Sequence, residues 1–274
     1  MKKLIKLEWE RVIKSKLFYT AIIIGLVIAI MQIIGEVFPY SVDLLKYYSG
    51  KDGEPFSLYM FSMCMNGSSL YKQIIITVLP VLAMMPHALS YHSDIKTGYI
   101  KNLYTRDKRI NYLVAKYIVT FISAGIVIVI PYIVNFIIAA CMLPALNPIY
   151  NGQYVSGAAM MQKLFYYKPL LYILVYLVIN WAYAGAFATT ALAATYFVDN
   201  IFMLSLVPFV IWYGMGIISQ YTTKVYDLMI DPMRFVDIAQ GYTVYPANVI
   251  GTLTGVIVVS AVIYFVIGVR SDAF

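Results

Sequence analysis

Two histidines, His87 and His92, and two cysteines, Cys64 and Cys141, carry the most versatile side chains in this sequence. Metal-dependent hydrolysis would need histidines one helical turn apart with a glutamate base between them. Neither histidine has a glutamate at that spacing, and H-E-x-x-H occurs nowhere. The cysteines are too far apart for a C-x-x-C redox or zinc pair. A disulfide between them and two free thiols both stay open, because sequence does not fix connectivity. Phosphate chemistry is no better served. Gly50-Lys51 is followed by Asp52, and Leu45 stands where the first glycine of a P-loop would fall. The chain is therefore expected to hold no catalytic residue, metal or cofactor of its own.

Composition dictates the elements that carry these residues. The 274 residues are 62% apolar and 12% charged, with a mean hydropathy of +0.78. Soluble domains average about half apolar and a quarter charged. The expected class is an all-α polytopic membrane protein, one domain over 1–274, since the apolar runs leave no room for a soluble domain. Six runs approach bilayer length, at 17–35, 71–90, 113–143, 170–191, 201–219 and 249–269. Pro80 and Pro86 predict kinks in the second. The third is long enough to require tilt or a kink.

Pro169 suits the first turn of the fourth run. There Ala184 and Ala188, with Gly185 beside them, give the four-residue spacing of small residues that lets helices approach closely, and Gly251 and Gly255 repeat it in the sixth. Deep in the runs there is no Asp, Glu, Lys or Arg, which argues against an ion-driven carrier. Asn135 and Asn180 read as helix-to-helix hydrogen bonds.

The connecting segments have their own signatures. Residues 1–16 are basic, with Ile5, Trp9, Val12 and Ile13 on one stripe, which predicts a helix lying in the membrane interface. Residues 36–70 form a long connection with Pro39, Pro55 and Asn66-Gly67 as turn signals, and 56–65 predicts a short interfacial helix within it. Residues 220–246 are too apolar for a loop and are interrupted at Asp231-Pro232. Val225, Leu228 and Met229, then Phe235, Val236 and Ile238, predict two short re-entrant helices there. With six spans and both termini inside, the inner segments hold 13 of the 20 Lys and Arg, and six of the 13 acidic residues. That is a net +7 inside and zero outside, so the positive-inside bias places both termini in the cytoplasm.

The longest charged connection is 91–116, where Ile95, Tyr99 and Leu103 recur every four residues beside Ile100 and Tyr104. A short amphipathic basic helix of this kind lies on headgroups or docks on a soluble partner. Asp94, Gly98, the helix Ile100–Leu103, Arg109 and Lys116 follow in the order found in one transporter family.

On these residues, and on the run of elements along the full length, the chain resembles the permease subunits of type-2 ABC transporters, the bacterial exporter class. Asp94 departs from the glutamate usual there. The resemblance implies an N-terminal elbow helix and a cytoplasmic coupling helix that fits a cleft on a separate ATPase. Asp94, Gly98, Tyr99, Ile100, Leu103, Arg106 and Arg109 would form that coupling site, and Tyr196 and Asp199 a second inner contact. It also implies two ATPase subunits carrying ATP and Mg, a second permease copy or a homologous one, a bacterial plasma membrane and no nucleic acid. The expected cargo is amphipathic or hydrophobic: an antimicrobial or other peptide, a drug or a lipid-like compound. The competing expectation is a scaffold, sensor or immunity component that binds the same partner surface and transports nothing.

Overall fold

The computed structural model describes residues 1–47, 57–62, 69–105, 108–148, 159–239 and 243–270, and every regular element in them is helical. Lipid offers no hydrogen bonds, so each crossing must satisfy its backbone internally, which a helix does within one segment. α1 (Lys2–Lys14) leads into α2 (Lys16–Gln32), which passes through a π-turn (Ile33–Val37) into α3 (Phe38–Tyr47). α4 is Leu58–Phe61, and α5 (Leu70–Met84) and α6 (Ala88–Lys96) make one bent rod. α7 (Tyr99–Tyr104), α8 (Arg109–Met142), α9 (Gln162–Tyr167) and α10 (Pro169–Ala194) follow, then α11 (Ile201–Tyr226), α12 (Pro232–Val236) and α13 (Pro246–Arg270).

Six stretches are long and apolar enough to cross a membrane: Lys16–Val42, Leu70–Lys96, Arg109–Met142, Pro169–Ala194, Ile201–Tyr226 and Pro246–Arg270. They are the six runs expected from hydropathy, most of them lengthened at their ends. This is the transmembrane helical architecture of a multi-pass membrane protein.

Three local differences have physical reasons. Pro39 does not turn the chain: it lies inside the continuous helical stretch Lys16–Val42, directly after the π-turn Ile33–Val37, where the altered backbone pattern accommodates a residue without an N–H. The rod α5–α6 bends at Met85–His87, around Pro86, while Pro80 sits inside α5. Val225 belongs to α11, which stops at Asp227 in the left-handed conformation (φ 52°). Of the two short helices expected nearby, α12 is the one present among the described residues. Met229, Phe235, Val236 and Ile238 are buried. The irregular backbone there is satisfied by side chains: Asn180 Nδ2 donates to the Val236 carbonyl at 3.0 Å and Tyr172 OH to that of Ile238 at 2.8 Å. Lys72 Nζ pairs with Asp237 at 2.7 Å and ties the start of α5 to the same segment.

α10 is the hub, packing on α8, α13, α5 and α11. Ala184, Gly185 and Ala188 are buried, as their spacing predicts. Gly185 lies on Phe121, and Gly125 of α8 admits the Trp181 ring against its backbone. Asn135 donates to the Ala29 carbonyl (3.1 Å) and to Gln32 (2.8 Å), and Gln32 donates on to the Phe61 carbonyl (2.9 Å). Asn135 and Asn180 thus both bond across helices. Gly251 and Gly255 differ. Among the described residues neither has a neighbour within 4 Å of where a methyl would stand. Cys141 is an exposed free thiol, and Cys64 lies outside the described residues, as does its pairing.

Replacing Gly125 with Val forces the Trp181 ring off α8. Overpacking of a close contact costs about 1–3 kcal/mol, so Gly125→Val should lower the thermal midpoint in detergent, whereas the same change at the open Gly214 should not.

Candidate functional site

At the end of the bundle that carries α1, helix pairing brings together six polar side chains that are scattered in sequence. α1 packs on α8 and buries Leu4, Glu8 and Val12, one residue per turn. The stripe expected from apolarity alone differs: Ile13 is exposed and Ile5 and Trp9 are half-buried. The acidic residue lies on the packed face because its partner is there. Lys116 of α8, fully buried, places Nζ 2.9 Å from Glu8 Oε2 and 2.8 Å from Asp94 Oδ2. Arg11 reaches both carboxylates, with Nη1 2.9 Å from Glu8 Oε1 and 2.9 Å from Asp94 Oδ2, and Nη2 closes a fork onto Asp94. Tyr112 OH donates to Asp94 Oδ2 at 2.7 Å, and His87 Nε2 lies 3.0 Å from Glu8 Oε2.

Two carboxylates face one ammonium and one guanidinium, and the four formal charges cancel. Burial alone would raise the Glu8 carboxyl. The His87 ring 3.0 Å away and the positive charges of Lys116 and Arg11 outweigh it and hold Glu8 well below the usual carboxylate range. Burial would likewise lower the Arg11 guanidinium, but Asp94 and Glu8 hold it above its ordinary value. Both carboxylates spend their acceptor positions on cations, which suits holding α1, α6 and α8 in register rather than transferring protons. Among the described residues no group of three or more His, Cys, Asp or Glu could hold a metal ion.

The loop after the second span is moored to this cluster. Gly98 adopts φ 69°, a conformation that costs a residue with a Cβ about 1–2 kcal/mol, and the chain turns there from α6 into α7. The break ends the stripe expected across Ile95, Tyr99 and Leu103. Ile95 is exposed, Leu103 half-buried and Ile100 is 6% exposed, inside the chain's own core. The Tyr99 ring lies under the Arg11 guanidinium at 4.9 Å, and the Tyr104 ring under that of Arg109 at 5.1 Å. Tyr104 also meets Tyr112 edge-on.

The turn after α10 joins the same assembly. Tyr91 and Tyr196 share a hydroxyl hydrogen bond at 2.7 Å, and Lys96 Nζ donates to the Asp199 carbonyl at 2.8 Å. Burial pushes the Tyr196 hydroxyl up to about 12, so it stays neutral.

Of the residues singled out by sequence, Asp94, Gly98, Tyr99, Ile100, Leu103 and Arg109 therefore lie together, with Tyr196 and Asp199 bonded to the same helix. Arg106 is outside the described residues. Asp94 and Ile100 are buried among this chain's own helices. That Glu8, Arg11, His87 and Tyr112 belong to this cluster escaped the sequence reading. The available signal was an acidic residue one turn from Leu4 and Val12, on the face where an amphipathic helix should be apolar. Neither a family model nor a curated protein nor a solved structure matches the chain.

Neutralising one member strands the rest. Asp94→Asn leaves Arg11 and Lys116 sharing Glu8 and should destabilise the fold by about 3–5 kcal/mol, while Glu10→Gln on the exposed side of α1 should change the detergent melting curve little. Acid has a related effect. A carboxyl with a lowered folded pKa contributes stability that is full above its unfolded value, near 4.5, and fades as pH falls below it. The Glu8 contribution, read as the difference in stability between the parent chain and Glu8→Gln, should hold from pH 7 down to about pH 5 and then shrink.

Proposed function

We propose that the chain is the membrane-spanning subunit of an ATP-driven exporter of the type-2 ABC kind, seated in a bacterial plasma membrane with both termini in the cytoplasm. Two separate ATPase subunits would bind ATP and Mg and supply the energy. A second permease, identical or homologous, would complete the pathway for an amphipathic or hydrophobic substrate such as a peptide, drug or lipid-like compound. The charge asymmetry between the two sides supports this orientation.

The observation that carries the reading is the way α7 is fixed. One side of it is anchored through Tyr99 to Arg11 on α1, the other through Tyr104 to α8, and α6 behind it is bonded to the 195–200 turn. A push on α7 from the cytosol would therefore reach α1, α6, α8 and α10 together instead of bending a loop. That is what a hinge or shear motion needs at its point of drive. In this reading α7 with its flanks is the coupling helix, α1 the elbow helix, and Tyr196 and Asp199 the second contact. Asp94 and Ile100 secure the coupling helix from behind, and the partner meets exposed positions such as Thr97, Thr105 and Lys108.

The test is purification of the tagged full-length chain from native membranes with a photo-crosslinking residue at Thr105. The account expects capture of an ABC ATPase and ATP hydrolysis by the purified complex. Gly98→Val, a β-branched residue at positive φ, should lower the hydrolysis rate severalfold without loss of the membrane fold. Capture of no ATP-hydrolysing protein, with the chain purifying alone, would leave the scaffold or sensor alternative standing.

A further inference from the structure

Packing sorts the charges of α1 by sign. Glu8 is buried, and Arg11 reaches inward to Asp94, so both are balanced inside the bundle. What α1 and the start of α2 present outward is Lys2, Lys3, Lys6, Lys14 and Lys16, all exposed, against Glu10 alone. None of the five lysines pairs with an acidic group among the described residues. The outer face of this helix therefore carries a positive charge that the chain itself does not answer.

The neighbours of α1 fix its depth. The first candidate span opens at Lys16, and Ser15 before it is extended (φ −74°, ψ 124°), so α1 leaves the axis of the span instead of prolonging it. The 34 residues of α8 measure about 51 Å at the helical rise, against ~30 Å of hydrocarbon. Shared between its ends, the excess is about 10 Å a side. Lys116, which holds Glu8, stands about 10 Å from the start of α8. The middle of α1 is thereby held beside the bundle at headgroup level.

The apolar stripe of α1 has a use at that level. It does not face the bundle, because Leu4, Glu8 and Val12 do. At four-residue spacing it passes from half-buried Ile5 and Trp9 to exposed Ile13, along one edge of the lysine face. An apolar edge beside a lysine-rich face is the form of a helix seated among headgroups. Exposed Tyr19, in the first turn of α2, adds a second aromatic near the indole of Trp9.

We propose that the outer face of α1 binds anionic phospholipid in preference to zwitterionic phospholipid. Lys2, Lys3, Lys6 and Lys14 meet the headgroup phosphates, and the edge Ile5, Trp9 and Ile13 rests on the upper acyl region. Charge complementarity selects the class. A zwitterionic headgroup has no net charge to set against the lysines, whereas an anionic surface attracts each lysine near it. An acidic soluble protein would match the charge but would leave the apolar edge uncovered. The inference rests on the six spans and does not need the exporter reading.

The experiment is native mass spectrometry of the delipidated full-length chain, offered equal amounts of dioleoyl phosphatidylglycerol and dioleoyl phosphatidylcholine. The first lipid bound should be phosphatidylglycerol by at least about fivefold, the worth of one lysine at an anionic surface. Gln at positions 2, 3, 6 and 14 together should bring the ratio close to one, and Arg at the same four should keep it. Lys163→Gln, Lys168→Gln and Lys224→Gln, combined at the opposite end of the bundle, should not change it. No preference in the parent chain, or a preference that survives the four Gln substitutions, overturns the proposal. In native membranes a photo-crosslinking residue at Lys6 should capture phospholipid. Capture of a soluble protein in its place overturns the proposal as well.

Discussion

Four buried or half-buried charges, Glu8, Arg11, Asp94 and Lys116, balance one another where three helices meet, and the arrangement at that end of the molecule depends on the balance. Lys116 is enclosed on every side, so its charge is tolerable only with two carboxylates within about 3 Å. The carboxylates in turn need Arg11 and Tyr112. A slip of α1 by one turn would move Glu8 about 5.4 Å along its axis and leave a buried ammonium with one partner.

Such a cluster is poor at adding net stability, because desolvation consumes most of the attraction. What it supplies is register. Apolar packing between α1 and α8 tolerates sliding and rotation, whereas a forked guanidinium on a carboxylate has one geometry. The aromatic rings around it extend that definition: Tyr99 and Tyr104 fix α7, and Tyr91 with Tyr196 joins the far side of α6 to the turn after α10. The opposite end is held more simply, by Lys72–Asp237 and by side chains that satisfy the carbonyls around α12. Between these ends α10 supplies a tightly packed middle built from small residues.

The spans were legible because hydropathy over about twenty residues is a sum, and sums are robust to single residues. The burial of Ala184, Gly185 and Ala188 and the cross-helix roles of Asn135 and Asn180 followed from side-chain size and hydrogen-bonding capacity in lipid. The face of α1 was not legible in the same way. Its apolar residues favour Ile5, Trp9 and Ile13, and the decision went to Glu8 because Lys116 lies more than a hundred positions away in the sequence and close by in space. The turn at Gly98 was readable as a glycine but not as the point that hides Ile100 and exposes Ile95. Gly251 and Gly255 looked like a packing pair, and their spacing could not show that nothing among the described residues lies against them.

The claim that matters most is that Glu8 and Lys116 act on each other and not merely beside each other. A double-mutant cycle on chemical unfolding in detergent, with Glu8→Gln, Lys116→Met and the pair combined, measures this directly. The account predicts a coupling of at least about 1–3 kcal/mol, with the combined variant less damaged than the two single losses added together. Strict additivity would mean that the Glu8–Lys116 pair does not hold α1 on α8, and would contradict the account.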